Sequence, residues 1–147
     1  MTQSSQDACP LIGTWELVGM YRNLESGDRE PPSDGWEDAK GYITYAPGGR
    51  MFALLSKRDK PPIDYPDIDD SKRIDAHKSM VAYTGRYDFH GDHALHHVDI
   101  CWIPDWEGGD QRREVMLDGD NLTLTTPHGR RPDGSMGSFS LEWHRVA

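Results

Sequence analysis

Apolar and polar residues alternate along most of this chain in short runs that break at Gly, Asp and Pro, the signature of β-strands joined by tight turns. Residues 13–23 alternate as a first strand, and residues 24–40, rich in Gly, Pro and Asp, form a loop. Residues 41–46 and 50–57 flank Pro47-Gly48-Gly49 as a hairpin. Residues 83–89 and 94–102 flank Gly91-Asp92 as a second, and residues 111–118 and 121–126 flank Gly119-Asp120 as a third. A last strand spans 138–146, after a loop at 127–137. A loop follows the second hairpin at 103–110, and the rhythm breaks at 58–82, where Pro61, Pro62 and Pro66 forbid regular pairing. There Asp69-Asp70-Ser71 can cap a short helix running to about Val81, so this segment, between the third and fourth strands, is the expected lid.

Eight short strands at hairpin spacing predict an all-β fold, an eight-stranded up-and-down antiparallel barrel whose interior holds one small ligand, with a two-sheet sandwich as the alternative. Closure requires the first and last strands, carrying Trp15 and Trp143, to be neighbours. The inward sets follow from period two: Trp15, Leu17, Gly19 and Tyr21; Tyr83, Gly85, Tyr87 and Phe89; Ala94, His96, Val98, Ile100 and Trp102; Arg113, Val115 and Leu117; Leu122, Leu124 and Thr126; Phe139, Leu141 and Trp143. The opposite face of the central hairpin collects Thr84, Arg86, Asp88, Leu95, His97, Asp99 and Cys101. For the second and third strands the choice between Ile43 with Tyr45 and Tyr42 with Thr44 stays open, because one residue of slip in the turn reverses it.

At 147 residues the chain makes a single domain, residues 11–147, after a flexible tail at 1–10. A net charge of −9, from 25 acidic and 16 basic residues, argues against nucleic acid or an anionic membrane as partner. The start carries no secretory signal and no stretch reaches the roughly 20 apolar residues of a membrane span, so a cytoplasmic protein is expected. Cys9 and Cys101 fit reduced thiols. His90, Asp92, His93, His96, His97 and Asp99 crowd together, but alternation sends them to different faces and no metal site is expected.

Several spaced blocks carry a resemblance. Gly13-Thr-Trp15, Gly41-Tyr-Ile-Thr-Tyr-Ala-Pro-Gly-Gly-Arg-Met51, Tyr83-Thr-Gly-Arg-Tyr87, His96-His-Val98, Trp106-Glu-Gly-Gly-Asp-Gln-Arg112 and Leu117-Asp-Gly-Asp-Asn-Leu-Thr-Leu-Thr-Thr-Pro127 together resemble the small lipocalin-like domain family of bacteria and fungi. The resemblance runs from about Leu11 to Pro127. It implies a calycin-type barrel with a ligand cavity, of a kind that carries lipophilic small molecules, related barrels acting as isomerases, cyclases or lyases.

Candidate chemistry gathers where alternation turns ionisable side chains inward. His96 with Tyr87 on the neighbouring strand makes a potential acid/base pair; the plainer account is a hydrogen-bonded core histidine. Arg113 offers a planar fork for a carboxylate, enolate or phenolate, or else it stacks on Trp15 or Trp143. Tyr21, Tyr45, Trp102, Trp106, Val98, Val115 and Leu124 are the expected ligand-binding walls. Two functions follow. One is a cofactor-free isomerase, cyclase or lyase acting by proton transfer through His96, Tyr87 and Arg113 on an aromatic or polyketide-like substrate. The other is a non-catalytic carrier of a lipophilic molecule. Three ionisable groups inside favour the enzyme, since a carrier of apolar ligands gains nothing from burying them. The reading also allows a homodimer.

Overall fold

The computed structural model describes residues 9–67, 69–130 and 136–147. In chain order the elements are β1 (Gly13–Leu24), β2 (Arg29–Glu30), β3 (Lys40–Tyr45), β4 (Arg50–Ser56), α1 (Asp70–Lys78), β5 (Met80–Phe89), β6 (His93–Cys101), a 3₁₀ turn (Pro104–Trp106), β7 (Asp110–Asp118), β8 (Asn121–Thr125), β9 (Gly129–Arg130) and β10 (Met136–Arg145). Eight of these strands pair antiparallel in the order β1-β3-β4-β5-β6-β7-β8-β10, and β10 pairs back onto β1, so the sheet closes into a barrel. The two-residue strands β2 and β9, which periodicity does not reveal, extend β1 and β10. Residues 1–8, most of the expected tail, and residues 131–135 of the expected loop at 127–137 lie outside the described residues. Cys9, the first described residue, is already buried against the core.

Turn chemistry sets the register of the central hairpin. Gly91 takes φ +91°, which only glycine adopts freely, and the N–H of His90 donates to the carbonyl of His93 across the turn. Phe89 therefore lies opposite Ala94, and Tyr87 opposite His96. Across β3 and β4 the alternatives resolve in favour of Ile43 and Tyr45, which are buried with Met51, Ala53 and Leu55, while Tyr42 is half exposed. Between Tyr45 and Arg50 the chain turns through Ala46-Pro47-Gly48-Gly49, with Gly49 at φ +91°.

Two β-bulges overturn parts of the predicted faces. In β1 the pairing with β10 skips Val18, passing from Leu17 opposite Trp143 to Gly19 opposite Glu142. Beyond it Met20, not Tyr21, shares the face of Trp15 and Leu17. Tyr21 lies on the outer surface, its ring over Gly19 and under the Arg29 guanidinium at 3.8 Å. In β6 the pairing passes from Val98 opposite Gly85 to Ile100 opposite Thr84, leaving Asp99 extra. Ile100 thereby points out, 65 % exposed, and Cys101 points in. On the other edge of β6, the N–H and carbonyl of Val98 bond to Gly109 and Gly108, just before β7. Gly85 stands where any Cβ would overlap the His97 carbonyl oxygen at 1.8 Å.

The barrel has unlike ends. At one, Trp15 donates from its indole to the Leu11 carbonyl at 2.9 Å, with Leu11 itself fully buried. Over Trp15 lies the Arg145 guanidinium, 4.2 Å from the ring centroid, bonded to the carbonyls of Pro10 and Ile12 and to the Asp120 carboxylate. The arginine that stacks on Trp15 is thus Arg145, not Arg113. At the other end stand α1, capped by Asp69, whose carboxylate accepts from the Lys72 N–H, and the 3₁₀ turn bearing Trp106. Among the described residues no helix is long and apolar enough to cross a membrane.

Candidate functional site

A cavity of about 170 Å³ lies inside the barrel toward the end that carries the insert. Most of its wall is apolar, with Met20, Leu55, Leu124, Phe139 and Trp106 among the lining side chains; the polar members are Tyr83, His96, Arg113, Thr126 and Trp143. A larger cleft of about 570 Å³ opens on the outside, between residues 57–63 and α1. Size alone favours that cleft, but polar groups from several strands converge in the interior cavity, which is what orients a ligand.

His96 is fully buried on β6, as its alternation requires. Both ring nitrogens are engaged by tyrosines, Nε2 with the Tyr45 hydroxyl and Nδ1 with the Tyr83 hydroxyl, each at 2.7 Å. Burial, reinforced by the positive charge of Arg113, lowers the His96 pKa to about 3, so the imidazole is neutral near pH 7. Burial also raises both phenols. For Tyr45 the shift is large, and for Tyr83 the charge of Arg113 opposes it.

The expected pairing of His96 with Tyr87 is not the one that forms. The Tyr87 hydroxyl donates to the Ala46 carbonyl at 2.9 Å, and its ring packs edge-on against Tyr45 with centroids 4.8 Å apart. Tyr87 therefore holds Tyr45 in place, and the strand opposite His96 contributes its hydrogen-bond partner from four residues away, at Tyr83. Sequence alternation put Tyr83 inside, yet nothing local marked it above Tyr87. The strand tilt of a closed barrel carries inward side chains diagonally past their paired neighbours.

Arg113 is half-buried on β7 and lines the cavity. Among the described residues its one hydrogen bond runs from Nη1 to the Arg112 carbonyl at 2.8 Å, and no carboxylate pairs with it. A second donor is also unused. The buried Trp143 indole N–H meets no acceptor among the described residues.

The expected ligand walls divide. Leu124 and Trp106 line the cavity. Trp106 is held there by loop geometry, since the Glu107 carboxylate accepts from the Cys101 N–H at 3.0 Å, and its ring meets Tyr83 edge-on at 5.7 Å. Tyr45, Val98 and Val115 belong to the packed core and do not border the cavity. Tyr21 is outside. Trp102 also falls off the wall, following the β6 bulge. Its ring abuts Trp106 at 5.3 Å and its carbonyl faces His77 Nε2 of α1 at 3.2 Å, tying the insert to the mouth.

Beside His96, His97 points the other way. Its Nδ1 lies 2.6 Å from Asp110 and its Nε2 2.7 Å from Asp88. The hydrogen bonds to Asp88 and then Asp110 raise its pKa, since an imidazolium donates from both nitrogens. Cys9 and Cys101 are both free and buried.

A family model described as a lipocalin-like domain matches residues 12–146. Among solved structures, a lipocalin-like protein from Bacteroides uniformis ATCC 8492 is similar over 92 % of this chain and 98 % of its own, with 14 % identity and a TM-score of 0.47. An uncharacterized protein from Bacteroides eggerthii DSM 20697 is similar over 92 % of this chain and 99 % of its own, with 11 % identity and a TM-score of 0.44. A comparison with curated proteins gives no match.

Proposed function

The chain belongs to the lipocalin-like domain family, and from that premise we propose that its barrel binds one compact, largely apolar small molecule in the interior cavity, polar end toward Arg113. The observation that carries this reading is an inward guanidinium in an apolar cavity whose only hydrogen bond among the described residues is to a neighbouring carbonyl. A guanidinium has five N–H donors, and a ligand oxygen in the cavity gives the unused ones a charge-assisted acceptor. At about 170 Å³ the cavity is smaller than the roughly 300–1,000 Å³ of drug-sized sites, which favours a single-ring ligand. Binding of ring compounds is read by intrinsic tryptophan fluorescence, to which the wall residues Trp106 and Trp143 contribute, or by calorimetry. Ala53→Phe, which fills the wall, abolishes it while the barrel stays folded; retention of full affinity in that variant moves the site elsewhere, the outer cleft being next.

One feature favours a second reading, a cofactor-free isomerase, cyclase or lyase. The hydrogen-bonded series Tyr45, His96, Tyr83 ends at the cavity and provides a path along which a proton moves. Under that reading Tyr83→Phe lowers turnover of an aromatic or polyketide-like substrate by roughly 10²–10⁴-fold. Tight binding with no conversion across such compounds leaves the carrier.

A further inference from the structure

The neutral His96 has one N–H to give and two tyrosine hydroxyls to satisfy, so the series has two possible senses. In the first, Tyr45 donates to Nε2 and Nδ1–H donates to Tyr83, which leaves the Tyr83 hydrogen free. In the second, Nε2–H donates to Tyr45 and Tyr83 donates to Nδ1, which leaves the Tyr45 hydrogen free. The surroundings of the two phenols are unequal. Tyr45 is 0 % exposed and its hydroxyl has no hydrogen-bond partner besides His96 among the described residues, so a free hydrogen there is a buried donor without an acceptor. Tyr83 borders the cavity, where its hydrogen can meet a ligand. Leaving a buried donor unmet weighs against the second sense by roughly tenfold or more.

We propose that the series is fixed in the first sense, with the His96 proton on Nδ1, so that the Tyr83 hydroxyl and the Arg113 guanidinium together form a donor site for a carboxylate or phenolate oxygen of the bound molecule. The inference rests on the small-molecule reading above and adds the chemical class of the ligand. Tyr83 is the phenol a ligand touches. His96, with no exposed surface, and Tyr45, behind it, are positioning residues that fix which way the Tyr83 hydrogen points. Arg113 and Tyr83 line the same cavity of about 170 Å³, so one bound oxygen can face both. The cation and the phenol supply different things, charge in one case and direction in the other.

Two measurements on the whole chain test this. Nitrogen-15 NMR of His96 reads the tautomer directly; the expected result is a neutral ring protonated at Nδ1 throughout pH 5–9. A ring protonated at Nε2 in the wild-type protein overturns the proposal. Benzoate and the nearly isosteric, uncharged benzamide are then titrated into the wild type and into Tyr83→Phe, Arg113→Met and Tyr45→Phe. Benzoate binding is expected to fall about tenfold in Tyr83→Phe and tenfold to a hundredfold in Arg113→Met, with benzamide changed less than threefold. Tyr45→Phe, which alters no cavity wall, is expected to weaken benzoate several-fold and to mix the His96 tautomers. A purely structural tyrosine would move neither. Equal binding and equal losses for the two probes overturn the oxyanion site while sparing the small-molecule reading. No binding of either, together with failure of every other ring compound, removes both.

Discussion

Arg145 and Arg113 serve opposite ends of the same barrel and differ in how far their donors are used. Arg145 covers Trp15, donates to the carbonyls of Pro10 and Ile12, and pairs with Asp120, so the closed end has little left with which to recognise anything. Arg113 faces a cavity and bonds to one backbone carbonyl. Tryptophans repeat the contrast, for the Trp15 N–H is satisfied by Leu11 while that of Trp143 is not satisfied by the described residues. One end converts polar groups into stability, and the other holds them in reserve at a cost, which is how a binding site differs from a plug.

The largest test of that contrast is Trp15→Ala, which opens the closed end and is expected to cost about 3–5 kcal/mol in chemical denaturation. Arg113→Met, by comparison, is expected to change stability by less than about 1 kcal/mol, or to raise it, because a half-buried cation with a single backbone hydrogen bond among the described residues gives way to an apolar side chain that suits the cavity wall. A comparable loss in both variants would erase the distinction between the ends.

Acid sharpens it next. The native His96 pKa is lowered to about 3 from an ordinary value near 6.5, so the unfolded chain binds a proton that the native one refuses. This group's contribution to stability is therefore present above pH 6.5 and lost as pH falls from 6.5 toward 3, on the order of 4 kcal/mol over the window. Subtracting the pH–stability curve of His96→Leu from that of the wild type isolates it. A flat difference between pH 6.5 and 4 shows that His96 is not held neutral.

Arg145→Met follows, with an expected loss of about 2 kcal/mol from the missing charged hydrogen bonds and the cation over Trp15, and no effect on ligand affinity. A change in affinity would mean the closed end reaches the site. The smallest effect belongs to His97, outside the barrel, where the sign reverses. Its pKa is raised, so its contribution is full below about pH 6.5 and disappears as pH rises through the native value. Because the clamp with Asp88 and Asp110 is more than a third exposed, that contribution stays below about 1 kcal/mol. Stability of His97→Gln measured between pH 6 and 9 should converge on the wild type at the alkaline end; a gap that widens there contradicts the clamp.

Alternation and turn residues by themselves determined the eight barrel strands, the capped helix in the insert, the adjacency of the first and last strands, and the opposite directions of His96 and His97. Apart from that adjacency, which follows from the need to close free edges, these features are local. Period two and a glycine turn act over a few residues, and whichever register buries the apolar face wins. Only the tertiary structure decided the rest. The bulges at Val18 and Asp99, which put Tyr21 and Ile100 outside and Cys101 inside, arise in the pairing of each strand with a neighbour, which no local pattern carries. The choice of Tyr45 and Tyr83 over Tyr87 as partners of His96, and of Arg145 over Arg113 as the cover of Trp15, depends on strand tilt and on side chains 51 and about 130 residues apart in the chain. A sequence reports which face a side chain takes, whereas closing the barrel determines which other side chains it meets there.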